Sequence, residues 1–310
     1  MKVVSYLKSV PEKNTNLQKT ELLVKFIAGV NAAGDTGIVH NGPGIIQSDV
    51  GMIQGWVYAD LRTQHLQLRK QIIDTQQRSK KYVATADANL FLYNDSTNPH
   101  GYLRYSFNGI FPQTGIYCDT NPNPARWNQI SKDKNIKLEK YKSTGDNILI
   151  MLQRNKGWSM KGLDVQQWAL STIRKIRKYS DRPILIRAHP GDKLAKKYLD
   201  PHTTIIRNIP KVYISPIGTP LAHDLQNTWA VINHNSSAIV GPLIKGYNCF
   251  TTDAESSQCA EVVNTNFSMI ESPQQFDRQS WLERISMFHW KFSELEDGTC
   301  WRHMRDYVRQ

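Results

Sequence analysis

Acidic residues are in short supply in this chain. Its 310 residues carry 39 Lys and Arg against 27 Asp and Glu, a formal net charge of +12. A small neutral substrate does not require such an excess; a polyanionic partner makes use of it, nucleic acid foremost, with anionic phospholipid or polysaccharide as other takers. Cysteine is scarce too. Cys118, Cys249, Cys259 and Cys300 are scattered without a Cys-x-x-Cys pair, which fits neither a disulfide framework nor a zinc site and leaves a reducing cytoplasm as the expected compartment. No apolar run approaches the ~20 residues of a membrane span. The N-terminus lacks the long apolar region and small-residue cleavage site of a secretory signal. His40, His65 and His100 show no ligand spacing, so no metal is expected. Internal repeats and low-complexity tracts are missing as well.

What the chain does have is enough apolar material, 40% of its residues with 10% aromatics, for sizeable cores. Its length suits two domains of about 150 residues. The first half alternates strand-like pieces (Val3 to Leu7, Thr36 to His40, Val50 to Ile53, Tyr82 to Thr85) with helical runs (Leu17 to Asn31, Leu61 to Lys80). That alternation argues a parallel sheet. The polar stretch from Tyr141 to Asn147 reads as a linker, giving domains over 1–143 and 148–275 and a tail over 276–310. After the linker come a strand (Ile148 to Gln153), an amphipathic helix (Val165 to Tyr179), a strand (Ile184 to Ala188), a short strand or turn unit (Asp200 to Ile214) and a small helix (Leu221 to Asn227). In the tail, Trp281, Ile285, Phe288, Phe292 and Leu295 recur at helical spacing, and a second helix follows Gly298. Basic residues cluster at Lys132 to Lys142, at Arg174 to Lys178 and at Lys193 to Lys197.

Two segments carry chemistry. From Trp229 to Phe250 the chain reads as an apolar strand, a polar turn (Asn233 to Ser237), an apolar helix (Ala238 to Ile244), a Gly246 stop and a second strand. Small hydroxyl and amide residues opening a helix straight after a strand present free N–H groups and a positive dipole end, a site for phosphate or another anion; the same residues are also ordinary helix caps. From Arg182 to Asp192, a strand opened by Pro183 runs into Arg187, His189, Pro190 and Gly191, and the last two force a turn where the strand ends. In open α/β sheets the carboxyl ends of strands are where ligands sit.

A strand-end His189-Pro190 followed by a strand-end Asn235-Ser236-Ser237 resembles the nucleotide-sugar site of the GT-B glycosyltransferases. More narrowly, the pair is similar to the His-Pro and Ser-Ser motifs of the capsule-type Kdo transferases and the bacterial sialyltransferases. The likeness covers the chain from Asn147 onward. It implies an α/β fold of two Rossmann-like domains, with a C-terminal helical tail crossing back to the first. It also implies a glycosyltransferase whose donor, a UDP- or CMP-linked sugar, lies against Arg187, His189, Pro190, Asn235, Ser236 and Ser237. No Asp-x-Asp motif of the other large glycosyltransferase fold is present, so catalysis without metal or cofactor is the expectation.

Transfer needs a carboxylate to take the acceptor hydroxyl's proton as it attacks the anomeric carbon. The resemblance implies a strand-end acid followed by aromatics for this role. Asp87 takes that place, with Ala88 where those enzymes often have a second acid or Gly, and Asp49 is the reserve. The stretch from Tyr102 to Pro112 is dense in aromatics and includes Arg104; Tyr102, Arg104 and Tyr105 suit stacking on sugar rings or extruded bases, and equally a plain strand pair. Size, motif order and basic charge also resemble bacteriophage enzymes that glycosylate hydroxymethylated DNA bases, which makes DNA the expected acceptor and the (host) cytoplasm the expected location. A surface-polysaccharide glycosyltransferase, a GT-B-like sugar-nucleotide epimerase and an inert nucleic-acid-binding protein are the alternatives.

Overall fold

The computed structural model describes residues 1–11, 17–58, 63–91, 101–155, 157–200 and 205–309. His100, Leu61 and Tyr93 lie outside them. The chain folds as two units, Met1–Ile130 with Leu282–Gln310, and Ser131–Trp281.

The first unit is built on a six-stranded sheet. Strands β1 (Lys2–Tyr6), β2 (Thr36–His40), β3 (Val50–Gln54) and β4 (Tyr82–Asp87) are parallel. Then β5 (Tyr102–Phe107) runs antiparallel to β4, and β11 (His289–Lys291), from the far end of the chain, runs antiparallel to β5. The expectation of a parallel sheet therefore holds for four strands and fails at one edge. Both faces are covered. Val3, Val50, Met52, Ala84 and Ala86 pack on one side with Leu22, Leu23, Phe26, Ile27 and Val30 of α1 (Leu17–Ala32). Val4, Tyr6, Ile53 and Val83 pack on the other with Ile72 and Ile73 of α2 (Gln64–Arg78). With apolar residues needed on both faces, these strands are near-continuous hydrophobic runs.

Helix α3 (Pro124–Lys134) spans the point where the chain passes from one unit to the other. The second unit has five strands, all parallel: β6 (Asn147–Met151), β7 (Ile184–Arg187), β8 (Val212–Ile214), β9 (Thr228–Asn233) and β10 (Asn248–Thr251), in the order β10-β9-β6-β7-β8. Chain direction through the sheet reverses between β6 and β9, the position where doubly wound sheets hold ligands. Helix α4 (Val165–Ile176) starts where Asp164 accepts the N–H groups of Gln166 (2.9 Å) and Gln167 (3.0 Å). It buries Val165, Trp168, Ala169, Ile173 and Ile176, positions that recur at helical spacing. Short helices α5 (Ala195–Tyr198), α6 (Leu221–Asp224) and α7 (Val240–Ile244) follow.

The tail departs from its apolar periodicity. Helix α8 (Arg278–Ser286) stops, β11 intervenes, and α9 (Phe292–Glu296) and α10 (Thr299–Arg305) follow. The break has a visible cause. His289 is fully buried, its Nδ1 bonded to the Ile285 carbonyl (2.6 Å) and its Nε2 accepting the Leu90 N–H (3.0 Å). The backbone around it completes the free edge of β5, an open edge being a liability to cover. Among the described residues no helix is long and apolar enough to cross a membrane.

Candidate functional site

The carboxyl ends of β6, β7 and β9 gather the polar residues of the second unit. Gln153, two residues past β6, and Asn235, two past β9, clasp across the direction switch. The Asn235 N–H donates to Gln153 Oε1 (2.9 Å) and Gln153 Nε2 donates to Asn235 Oδ1 (2.8 Å). Asn235 Nδ2 also donates to the Ser159 carbonyl (3.0 Å) and to Asp253 Oδ2 (3.0 Å). The side chain expected to touch the donor is thus spent on shaping the turn. Ser236 caps the next turn, its Oγ accepting the Ala238 N–H at 3.2 Å. The helix expected over Ala238 to Ile244 is a 3-10 turn (Ser237–Ile239) running into the five-residue α7. So short a helix contributes less dipole than the sequence suggested, and what stands at its start are the N–H groups that open it and the half-buried Ser236 and Ser237 hydroxyls.

His189 follows β7 and Pro190-Gly191 turn the chain, closed by the Asp192 N–H on the His189 carbonyl (2.9 Å). The Gly191 N–H donates to His189 Nδ1 at 2.9 Å, so the neutral ring carries its proton on Nε2. Burial, and then the nearby Arg154, hold its pKa below the usual histidine value against the opposing pull of Asp192. His189 is therefore a neutral hydrogen-bond donor. The cation beside it is Arg154. A Cβ placed on Gly191 would come 2.7 Å from Arg154 Nη2, so the guanidinium lies over the glycine turn. Arg154 is exposed. The cation expected here, Arg187, is engaged elsewhere: its Nη1 pairs closely with buried Asp224 and donates to the Thr219 carbonyl (2.6 Å). Asp224 also accepts from Ser215 Oγ at 2.8 Å. Arg187 braces the β7–α6 corner.

A neighbouring group escaped the sequence reading. Trp168 Nε1 donates to Thr252 Oγ1 (2.8 Å), which lies 2.7 Å from His234 Nδ1. His234 Nε2 is buried, has no hydrogen-bond partner among the described residues and stands 3.8 Å from Asp253 Oδ2, too far for a hydrogen bond. Burial would raise the Asp253 pKa, but hydrogen bonds from Asn235, Lys161 and Ser256 outweigh it and keep the carboxylate ionised below its usual range. The signal available was the Thr252-Asp253 pair directly after an apolar strand.

In the first unit Asp87 ends β4. Its Oδ2 pairs with Arg104 Nη2 (2.7 Å), its Oδ1 accepts the Ala88 N–H (2.8 Å), and its side chain keeps 26% exposure. Arg69 of α2 is buried; its Nε donates to the Ser9 carbonyl at 2.7 Å, and a Cβ on Gly55 would meet its Nη1 at 3.1 Å. Burial lowers the Arg69 pKa to about 10, with Asp87 opposing. Asp87 thus has two buried guanidinium groups for neighbours. Asp49 stands just before β3, at the opposite, amino end of the sheet, where it binds Lys81 Nζ (2.7 Å) and the Lys2 N–H (2.8 Å). The structure does not bring the two acids together. Tyr102, Arg104 and Tyr105 are buried in β5. Tyr105 stacks on Phe26 within the core, and Tyr102 lies beneath Arg126 and Lys291. None of the three offers a face to an extruded base: Phe26 of α1 covers Tyr105, Arg126 and Lys291 cover Tyr102, and Arg104 is buried. Open space among the described residues includes the carboxyl ends of β1 and β2. A groove of about 680 Å³ there is lined by Lys8, Val10, Gly42, Thr63, His65 and Leu68 among others. Among the described residues, no cluster of three or more His, Cys, Asp or Glu is placed to hold a metal ion.

No protein-family model and no curated protein sequence matches the chain. Solved structures do. A Thermosulfurimonas dismutans KpsC described as a beta Kdo 2,4 transferase superposes at a TM-score of 0.52 with 12% identity, covering 88% of this chain and 90% of that one. The beta Kdo 2,7 transferase of KpsC from the same organism gives 0.51 and 11%, over 96% and 99%. A Methanocaldococcus jannaschii UDP-GlcNAc 2-epimerase gives 0.37 and 13%, over 92% and 97%. The chain has a GT-B-like fold, resembling the capsule-type Kdo transferases.

Proposed function

We propose that the protein is a nucleotide-sugar-dependent glycosyltransferase acting on a surface polysaccharide. The observation that carries this reading is the donor-type edge of the second unit: the exposed Arg154 guanidinium, the His189 Nε2–H and the opening N–H groups at Ser236 and Ser237, held around the direction switch by the Gln153–Asn235 clasp. These groups suit the phosphate of a leaving nucleotide, where negative charge grows as the glycosidic bond breaks. In the first unit Asp87 takes the proton of the acceptor hydroxyl as that oxygen attacks the anomeric carbon. The acceptor lies in the groove at the carboxyl ends of β1 and β2.

The choice of a glycan over DNA rests on two points. The two superposing structures with TM-scores of 0.52 and 0.51 are both described as Kdo transferases. The aromatic residues expected to stack on a flipped base are in the core. The net charge of +12 then serves an anionic polysaccharide or a phospholipid surface. The test is incubation with CMP- and UDP-sugars, each with a bacterial surface-glycan fraction or with DNA containing hydroxymethylated pyrimidines, followed by mass spectrometry. The expected result is a donor-dependent gain of one sugar on glycan and none on DNA. Glycosylated nucleosides would reinstate DNA as acceptor; interconversion of the nucleotide sugar without acceptor would make the protein an epimerase.

A further inference from the structure

The first unit has a second concavity, of about 570 Å³, lined by Thr120, Asn121, Asn123, Met287, His303, Asp306 and Tyr307. The loop before α3 forms one wall and the end of α10 the other. Its position separates it from Asp87, which lies on the same side of β4 as Val83 and so on the α2 face of the sheet, whereas α10 buries Trp301 and Met304 against the other face.

Its chemistry is unlike that of the rest of the chain. In a protein of net charge +12, no Lys or Arg lines the groove among the described residues, and among them Asp306 is its one carboxylate. His303 adds no positive charge: burial, helped by Arg126, holds its pKa below the usual value against the upward pull of its 2.7 Å bond to the Cys118 carbonyl and of Asp306. An anion would meet the Asp306 carboxylate among the lining residues, with Arg126 set back behind His303. The remaining groups are donors and acceptors with capacity to spare. Asn121 and Asp306 are exposed and make no side-chain hydrogen bond among the described residues. Asn123 Oδ1 accepts the Ala125 N–H (3.0 Å), leaving its Nδ2 group. Tyr307 is held by Thr120 Oγ1 (3.3 Å) and by the tilted ring of His303, 5.6 Å between centroids. A carboxylate, two amides and a fixed aromatic ring match a ligand whose surface alternates hydroxyls, each both donor and acceptor, with C–H faces. The volume falls within the range of small-ligand sites.

We propose that this groove is a binding subsite for neutral sugar residues, separate from the transfer site and able to hold a glycan chain. It rests on the glycosyltransferase reading for its purpose; its binding chemistry stands without it. The test is isothermal titration with neutral oligosaccharides of glucose, galactose and N-acetylglucosamine, and with a sulfated heparin oligosaccharide as anionic probe. Wild-type protein is compared with Asp306→Ala and Asn121→Ala, both exposed positions whose change leaves the fold intact. The expected result is millimolar or tighter binding of at least one neutral oligosaccharide, weakened at least tenfold in each variant, with heparin binding and nucleotide-sugar affinity unchanged. No neutral binding to wild type, equal binding to the variants, or a loss confined to heparin overturns the proposal. A protein that binds neutral glycan here yet transfers no sugar would remove the enzymatic reading and keep the subsite.

Discussion

Asp87→Asn is expected to cut sugar transfer by roughly 10²- to 10⁴-fold, the contribution of a positioned general base, while leaving donor affinity unchanged. Asparagine keeps the shape of the side chain but has no lone pair basic enough to take the acceptor proton. The substitution has a second consequence that must be separated from the first. Asp87 is the partner of the buried Arg104, 2.7 Å away, and lies near the buried Arg69. Removing its charge leaves guanidinium groups uncompensated, a cost of about 3–5 kcal/mol for a fully buried pair, and less here because the carboxylate is 26% exposed. The single variant should therefore lose stability as well as activity. The double variant Asp87→Asn with Arg104→Met removes both charges and should recover much of the stability without recovering transfer. Measured by thermal unfolding and initial rates, that split identifies a base. Recovery of both would reduce Asp87 to a structural counterion.

Gly29→Ala should produce the largest loss of stability of any single methyl added to the chain's first unit. A Cβ at Gly29 would sit 1.7 Å from the Leu295 carbonyl oxygen and 3.0 Å from the Gly298 Cα. The obstacle is backbone, so no rotamer change relieves it. Gly298 itself has φ +81°, in the left-handed region, and its own Cβ would come 2.6 Å from the Gly29 carbonyl oxygen. The two glycines let the tail return onto α1, where Leu295, Trp301 and Met304 complete the core. Over-packing of this kind costs about 3 kcal/mol or more, which is about 6–12 °C in unfolding temperature for a unit of this size. Gly241→Ala is the control, since nothing lies within 4 Å of that Cβ. Calorimetry should show a lowered transition for Gly29→Ala and none for Gly241→Ala. An unchanged transition in Gly29→Ala would mean that the tail does not seat on α1 as described.

The second unit was legible because its strands are buried on both faces. Ile148 to Gln153, Ile184 to Ala188 and Ala230 to Ile232 are short apolar runs, each ending in polar or turn-forming residues. His189 with its Pro-Gly turn and the Ser236-Ser237 turn could be read for the same reason. What could not be read were pairings fixed by distant residues. Arg187 stands two residues before His189 and looks like its companion; Asp224, on a helix much later in the chain, captures it. The cation at the turn is Arg154 instead, from the loop that follows the strand next in space. Tyr102 and Tyr105 suited stacking on a base as well as a plain strand pair, and the strand that pairs with β5, β11, was hidden inside a helical periodicity. His289 explains the interruption only once its two buried hydrogen bonds are seen.

The most direct measurement is a titration of the wild-type protein with CMP- and UDP-sugars, followed calorimetrically and by unfolding temperature, alongside Arg154→Ala and the Ser236→Ala, Ser237→Ala pair. Binding to the native state raises apparent stability by mass action. The account predicts saturable binding of at least one nucleotide sugar to the wild type. In Arg154→Ala that binding weakens by about 10- to 100-fold, the equivalent of the 1.5–3 kcal/mol of a hydrogen bond to a charged group, and the serine pair shows a smaller loss. Arg154 is exposed and makes no ion pair among the described residues, so its removal should leave the unliganded unfolding temperature where it was. Absence of binding by every CMP- and UDP-sugar, or full wild-type affinity in Arg154→Ala, would contradict the donor site at this sheet edge.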